Sequence, residues 1–119
     1  MNNMTSLADQ WLEAWNQHDL TAILTHYAES IEFTSPLIVK LLGNASGTIR
    51  GKAALRDYFQ LGLTAYPDLT FEPINLLIGV DSLVLYYRSV NNQLSAEFMH
   101  LTADGLIDRV FAHYSDRSR

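Results

Sequence analysis

The chain of 119 residues contains no cysteine, few basic residues and no long apolar run. Without cysteine it has no thiolate nucleophile, no Cys-ligated zinc or iron–sulfur site and no disulfide framework, so nothing in it indicates an oxidising compartment. Eight Lys and Arg against 13 Asp and Glu give a formal net charge of −5, and the basic residues are scattered. Because nucleic-acid-binding proteins usually present a basic face, nucleic acid is not an expected partner.

Membrane segments are not predicted either. No apolar segment approaches the roughly 20 residues that a membrane-spanning helix needs, and the first 15 residues lack the basic and apolar regions of a signal peptide. We therefore expect a soluble, cytoplasmic protein that meets no membrane. At this length a single domain, residues 1–119, is expected, and 48% hydrophobic residues suffice for a core without disulfides or metal.

Helical periodicity dominates the first half of the chain. Apolar residues within 7–15 recur at 3.6-residue spacing, and Ser6, followed three residues later by an acid, resembles a capping box at the start of this helix. Asp19 is the predicted N-cap of a second short helix with apolar positions within 20–28. The pattern predicts a third helix over 51–66.

A short strand and a loop separate the second and third predicted helices. The strand, 31–35, is ended by Pro36, and 37–50 has the composition of a long loop. After Pro67 the pattern predicts strands at 69–78, 83–90, 94–102 and 106–114, joined by turns at 79–82, Asn91-Asn92 and Asp104-Gly105. Helices followed by a strand meander predict the α+β class.

Two-residue turns at Asn91-Asn92 and Asp104-Gly105 would determine which residues share a face of the sheet. They place on one face Val84, Tyr86, Arg88, Ser95, Glu97, Met99, Leu101, Asp108, Val110, Ala112 and Tyr114. They place on the other face Leu83, Leu85, Tyr87, Leu94, Ala96, Phe98, His100, Ile107, Arg109, Phe111 and His113. This second face is too apolar for water. We therefore expect a homodimer that packs sheet against sheet through Leu83, Leu85, Tyr87, Phe98 and Phe111.

Glu97 is the candidate catalytic residue of the first face. Among apolar neighbours and beneath the helices, desolvation would raise its pKa and make it a general acid or base, with Tyr86 or Tyr114 as hydrogen-bond donor. The alternative is a structural role, in which Glu97 pairs with Arg88 or accepts a hydrogen bond from one of these tyrosines.

Metal and cofactor motifs are not evident. The four histidines, 18, 26, 100 and 113, form no i, i+4 pair, and the glycines lack the strand, turn and helix context of a phosphate-binding loop. We therefore predict neither a metal site nor a cofactor.

Three stretches of the chain resemble the SnoaL-like branch of the nuclear transport factor 2-like superfamily: AWNQHDLTAILTHYAESIEFTSP, IRGKAALRDYFQLGLTAYPDL and LTADGLIDRVFAHY. The resemblance extends from about Leu7 to Tyr114. It implies a cone in which a curved antiparallel sheet wraps around three helices, leaves a pocket at its open end, and commonly dimerises through the sheet.

The resemblance also implies a pocket for a small, largely apolar molecule. Together with the predicted inner face, it gives a lining of Trp11, Phe33, Ser35, Phe59, Val84, Arg88, Met99 and Val110. Relatives include ketosteroid isomerases, polyketide cyclases, dehydratases and epoxide hydrolases, while others only bind ligands or proteins.

A residue-by-residue match with the ketosteroid isomerases argues against their mechanism in this chain. Their general-base aspartate matches Ser35, and two of their tyrosine donors match Trp11 and Phe59. Only an oxyanion-hole acid has a counterpart, Glu97. Two hypotheses follow: an isomerase- or cyclase-type enzyme that uses Glu97 on an apolar carbonyl or polyketide-like compound, or a non-catalytic ligand-binding or regulatory dimer with the same pocket.

Overall fold

Four helices pack against a curved, open, six-stranded sheet in the structure, a computed structural model that describes residues 2–116. In chain order the elements are α1 (Asn2–Asn16), α2 (Leu20–Leu24), β1 (Tyr27–Thr34), α3 (Pro36–Leu42), β2 (Thr48–Arg50), α4 (Lys52–Ala65), β3 (Glu72–Ile78), β4 (Ser82–Arg88), a 3₁₀ turn (Val90–Asn92), β5 (Leu94–Leu101) and β6 (Ile107–Tyr114). This arrangement confirms the predicted α+β class and the cone-shaped fold.

The sheet has the strand order β2-β1-β6-β5-β4-β3. All neighbouring strands are antiparallel except β1 and β6, which run parallel. The sheet is therefore antiparallel, as expected, at every pair except this one. A parallel pair needs a long crossover, and here the chain passes through α3, α4 and four strands before β6 returns to β1.

The helix boundaries correct two predictions and confirm one. α1 begins at Asn2, so Ser6 is not a cap; it lies inside the helix and its hydroxyl accepts a hydrogen bond from Gln10 at 3.1 Å. Asp19 does cap α2, accepting from the backbone N–H of Ala22 at 3.1 Å. Tyr27, predicted on the second helix, instead begins β1, because pairing with Ile107 of β6 gives it a buried place in the sheet.

The predicted loop over 37–50 contains the helix α3 and the strand β2. The Ser35 side chain caps α3 by accepting from the Leu37 N–H at 3.1 Å, and Pro36 occupies the first turn, where its missing N–H leaves no bond unmade. Gly43, with φ 66°, ends the helix in the left-handed conformation that glycine adopts easily. The proline that ends a strand here also begins a helix.

β3 is an edge strand, and its register shifts between Pro73 and Asn75. Pro73 has no N–H to donate to a neighbouring strand, so an edge strand with a shifted register can accommodate it.

The β4–β5 hairpin differs from the prediction by one residue. Arg88 pairs with Leu94, not with Ser95, and a five-residue loop closes through a hydrogen bond from the Ser89 N–H to the Gln93 carbonyl at 2.7 Å. Asn91 has a positive φ, 56°, but within a 3₁₀ turn rather than a two-residue hairpin turn. Because side chains alternate along a strand, a shift of one residue moves every side chain of β4 to the other face.

The faces of the sheet change accordingly. Leu83, Leu85 and Tyr87 are buried beneath the helices, so they cannot form the predicted dimer surface. Val84, Tyr86 and Arg88 take their places on the outer face, beside Phe98 and Phe111.

The β5–β6 register follows the prediction from Ser95 opposite Tyr114 to Met99 opposite Val110. A bulge near Leu101 then places Ile107, rather than Asp108, on the buried face. No helix within residues 2–116 is long and apolar enough to cross a membrane.

Candidate active site

A cavity of about 150 Å³ lies between α3, α4 and the inner face of the sheet. Most of its wall is aromatic or aliphatic, and polar groups come from the 89–93 loop and from the sheet. The lining residues are Trp15, Phe33, Leu37, Leu41, Tyr58, Phe59, Gly62, Tyr66, Leu69, Phe71, Tyr87, Ser89, Val90, Asn91, Gln93, Glu97 and Tyr114.

Glu97 is the ionisable carboxyl group of this cavity, and only 5% of it is exposed. Its Oε1 accepts a hydrogen bond from the Tyr87 hydroxyl at 2.7 Å, while Oε2 has no partner among the residues that the structure describes. Burial raises the pKa of Glu97 from 4.5 to about 7, and the bond from Tyr87 opposes this shift in part. Glu97 is therefore a carboxyl group that can both take and give a proton near neutral pH.

Four tyrosines surround Glu97: Tyr27 from β1, Tyr58 from α4, Tyr87 from β4 and Tyr114 from β6. Burial is the main cause that raises the pKa of each phenol, and the nearby charge of Glu97 adds to it. All four hydroxyls therefore keep their protons at neutral pH and can act as hydrogen-bond donors.

Aromatic rings form the walls around these polar groups. The ring centroids of Trp15 and Phe59 lie 4.8 Å apart, edge to face, and those of Phe71 and Tyr87 lie 4.6 Å apart. Phe33 meets the edge of Phe59 at 5.4 Å. Each of these rings therefore packs against at least one aromatic neighbour.

The structure brings part of the predicted site together. Glu97, Tyr114, Phe33 and Phe59 all line the cavity. Ser35 is buried close by; hydrogen bonding to it lowers the pKa of Tyr58 and Tyr114 against the larger effect of burial, and it also caps α3.

Other predicted lining residues lie behind the wall, in the core. Trp11, Met99 and Val110 are each at most 1% exposed and are not among the residues that line the cavity. Trp11 donates its indole N–H to the Tyr27 hydroxyl at 2.9 Å, so it supports one of the four tyrosines instead.

Three predicted site residues lie on the outer face of the sheet, away from the cavity: Tyr86, Val84 and Arg88. The one-residue shift of β4 is the reason. Arg88 pairs with Glu72 at 3.3 Å, which also corrects the alternative in which Arg88 neutralises Glu97.

The sequence predicts Tyr87 on the opposite face, and the predicted lining does not include Trp15 and Tyr58, although all three line the cavity. Tyr87 is the direct neighbour of Tyr86 and would have been found from the correct hairpin length. Tyr58 and Phe59 adjoin on α4, and both line the cavity. Within residues 2–116 there is no group of three or more His, Cys, Asp or Glu side chains that could hold a metal ion.

Comparison with known families agrees with this geometry. The family model of the SnoaL-like domain matches residues 8–110. The chain belongs to the SnoaL-like family. A comparison with curated proteins gave no match.

Several solved structures share the fold. A SnoaL-like protein of unknown function from Burkholderia thailandensis is 40% identical, with 98% of each chain covered and a TM-score of 0.93. A candidate ketosteroid isomerase from Kribbella flavida is 19% identical over 97% of this chain and 79% of its own, with a TM-score of 0.76. A candidate polyketide cyclase from Sinorhizobium meliloti is 13% identical over 93% and 98%, with a TM-score of 0.75. The last two are similar in fold alone.

Proposed function

We propose that this SnoaL-like protein binds a small, largely apolar carbonyl compound in the cavity and moves a proton on it through Glu97. The observation that carries the proposal is the buried Glu97 carboxyl group, which lines the cavity with one oxygen, Oε2, unbonded among the described residues. A carboxyl group with a pKa of about 7 exchanges protons efficiently at neutral pH. The cyclase and isomerase names among structures of the same fold support this class of reaction.

The size of the cavity limits the substrate. Ligand pockets usually measure roughly 300 to 1,000 Å³, whereas a cavity of roughly 150 Å³ holds a molecule of about the size of benzene. At about 150 Å³ this cavity favours a single-ring carbonyl compound over a polyketide-like substrate of several rings.

The proposed reaction is a proton shift next to a carbonyl group. Glu97, ionised, takes a proton from the carbon beside the carbonyl and returns it to another carbon of the resulting enolate. Tyr114 lines the same cavity and can donate its hydroxyl to the oxygen on which charge develops. Tyr87 is a positioning residue, because its hydroxyl holds Oε1 of Glu97 at 2.7 Å.

Cyclohex-3-enone is a suitable test substrate, because its single ring matches the cavity and its isomerisation to cyclohex-2-enone only moves a proton. We expect the protein to accelerate this conversion by at least ~100-fold over buffer, the usual range for a positioned acid–base group. Glu97→Gln should return the rate to that of buffer. Glu13→Gln, an exposed carboxyl on α1, is the matched control and should leave the rate unchanged. An unchanged rate in Glu97→Gln would contradict the proposal.

A second candidate function is ligand binding without chemistry. It is favoured by Ser35, which occupies the position of the isomerase base but is buried and serves as the cap of α3. Under this function, cyclohex-3-enone binds in a protein NMR titration without being converted.

We also propose a homodimer through the outer face of the sheet, formed by the residues that the structure places on that face. Phe111 is 40% exposed there and its ring lies 6.0 Å from that of Phe98. We expect sedimentation velocity to give a dimer at micromolar concentration and Phe111→Glu to give a monomer with an unchanged far-ultraviolet spectrum. A monomer for the unaltered protein would contradict the dimer.

A further inference from the structure

The cavity holds a buried carboxyl group without a matching cation. Among the described residues that line it there is no Lys, Arg or His, and Glu97 is the one acidic side chain. An anionic ligand would therefore meet like charge and no ion pair. The ligands that complete this site are neutral or positively charged.

The walls of the cavity also favour positive charge. Eight of the lining residues are aromatic, among them Trp15, Tyr58 and Phe71. Aromatic rings attract cations through their negative faces, and this attraction increases when the cation is removed from water. A buried carboxylate and several rings around one small cavity are the groups that recognise organic ammonium ions.

We propose that the cavity also binds small ammonium ions of single-ring size, with an N–H of the ammonium donated to Oε2 of Glu97 and its charge held among the aromatic rings. The inference rests on one part of the proposed function, namely that the cavity admits a small molecule. It goes beyond that function because an ammonium ion pairs with the ionised Glu97 and so keeps this residue from taking a proton from a carbonyl compound.

The charge state of Glu97 then selects between two classes of ligand. The titratable groups that face Glu97 are the phenols of Tyr27, Tyr58, Tyr87 and Tyr114, and all four keep their protons at neutral pH. Protonated Glu97 donates a hydrogen bond to a neutral acceptor, whereas ionised Glu97 binds an ammonium ion. The affinities for the two classes should therefore change in opposite directions as the pH rises.

Three probes of nearly the same shape test the inference: benzylammonium, benzyl alcohol and benzoate. Their dissociation constants are measured by protein NMR titration of the whole chain at pH 6 and pH 8, at constant ionic strength. At pH 8 we expect benzylammonium to bind about tenfold more tightly than benzyl alcohol, and benzoate to bind most weakly. An alkylammonium group, like that of lysine with a pKa of about 10.4, stays protonated at both pH values.

The pH comparison needs no variant. With a pKa of about 7, Glu97 is mostly ionised at pH 8 and mostly protonated at pH 6, so the affinity for benzylammonium should fall about tenfold between them. Equal affinity at the two pH values overturns the inference, as does tighter binding of benzyl alcohol or benzoate at pH 8.

The outcomes separate this inference from the proposed function. If benzyl alcohol binds and benzylammonium does not, the cavity still accepts small molecules and only the ammonium inference fails. If none of the three probes binds while cyclohex-3-enone does, the ammonium inference fails and the proposed function stands; if cyclohex-3-enone does not bind either, both proposals fail.

Glu97→Gln provides a further check. It should remove the preference for benzylammonium and keep the binding of benzyl alcohol, while Glu13→Gln should keep both. A preference that survives in Glu97→Gln overturns the inference.

Discussion

Glu97 and His100 lie three residues apart on β5, on opposite faces of the sheet, and both hold a proton more tightly than free side chains do. Burial raises the pKa of Glu97 to about 7. Hydrogen bonding to Asp108 raises the pKa of His100, whose Nδ1 lies 2.6 Å from Oδ1 of Asp108 and whose Nε2 lies 3.2 Å from Oδ2 of Asp81. Glu97 keeps its proton because its carboxylate would be buried without a compensating charge. His100 keeps its proton because two carboxylates compensate the charge of its imidazolium.

Glu97 and His100 differ in whether they can still bond a ligand. His100 has both ring nitrogens bonded to carboxylates, at the surface, where ions screen the attraction. Glu97 has one oxygen unbonded within the described part of the chain, and its buried side chain lines a cavity. Only Glu97 therefore has bonding capacity left for a ligand. Both groups should nevertheless make the fold less stable as the pH rises, since both bind a proton more tightly in the folded state.

The largest expected effect is the pH dependence of stability caused by Glu97. The ordinary pKa of the side chain is 4.5 and that of folded Glu97 is about 7. Between these values the folded chain keeps a proton that the unfolded chain has released, so the free energy of unfolding falls as the pH rises and levels off above about 7. The difference amounts to about 3 kcal/mol.

Urea unfolding at pH 4 and pH 8 measures this effect. The unaltered protein should lose about 3 kcal/mol more between the two pH values than Glu97→Gln does. Glu13→Gln, exposed on α1, should behave as the unaltered protein. Equal pH dependence in Glu97→Gln and the unaltered protein would mean that Glu97 is not desolvated, and the comparison with His100 would lose its basis.

A smaller effect is expected from Tyr87→Phe. The Tyr87 hydroxyl donates to Oε1 of Glu97 and lowers its pKa, so its removal should raise the pKa of Glu97 further above 7. Loss of a hydrogen bond to a charged acceptor should reduce the stability at pH 8 by about 2 kcal/mol. Carbon-13 NMR of the Glu97 carboxyl group follows the titration directly.

Tyr86→Phe is the matched control, since Tyr86 is the next residue on β4 and lies on the outer face. It should leave the titration of Glu97 unchanged. The opposite result, with Tyr86 and not Tyr87 affecting Glu97, would support the register first predicted for this hairpin.

Tyr86 and Tyr87 show which part of the site can be predicted from the sequence alone. Glu97 could be predicted as a buried acid because the Asp104-Gly105 turn gave the correct pairing for most of β5 with β6. Its hydrogen-bond partner, Tyr87, could not be predicted, because the sequence Asn91-Asn92 fits both a two-residue turn and the longer loop that forms. Hairpin length depends on how the flanking strands pack, and a change of one residue exchanges Tyr86 for Tyr87.

The helix α3 was missed for a related reason. Pro36 was interpreted only as the end of a strand, although proline is also common in the first turn of a helix and Ser35 before it is a good cap. At seven residues α3 is too short for its periodicity to stand out, and its Val39 and Leu41 are exposed. Leu37 and Leu41 line the cavity, so part of the site was hidden in a segment predicted to be loop.

The smallest expected effect is that of His100→Gln. Because the pKa of His100 is raised by its carboxylate partners, its pairing should stabilise the fold fully below pH 6.5 and lose that contribution as the pH rises through the folded pKa. Its side chain is 36% exposed, so the loss should be below about 1 kcal/mol at pH 6 and should vanish in 1 M salt. His113→Gln is the control, since the His113 ring bonds the Phe111 carbonyl rather than a carboxylate. Urea unfolding of His100→Gln at low and high salt tests this prediction. A loss of stability that persists in about 1 M salt would mean that His100, like Glu97, is desolvated, and the two faces of the sheet would not differ in this respect.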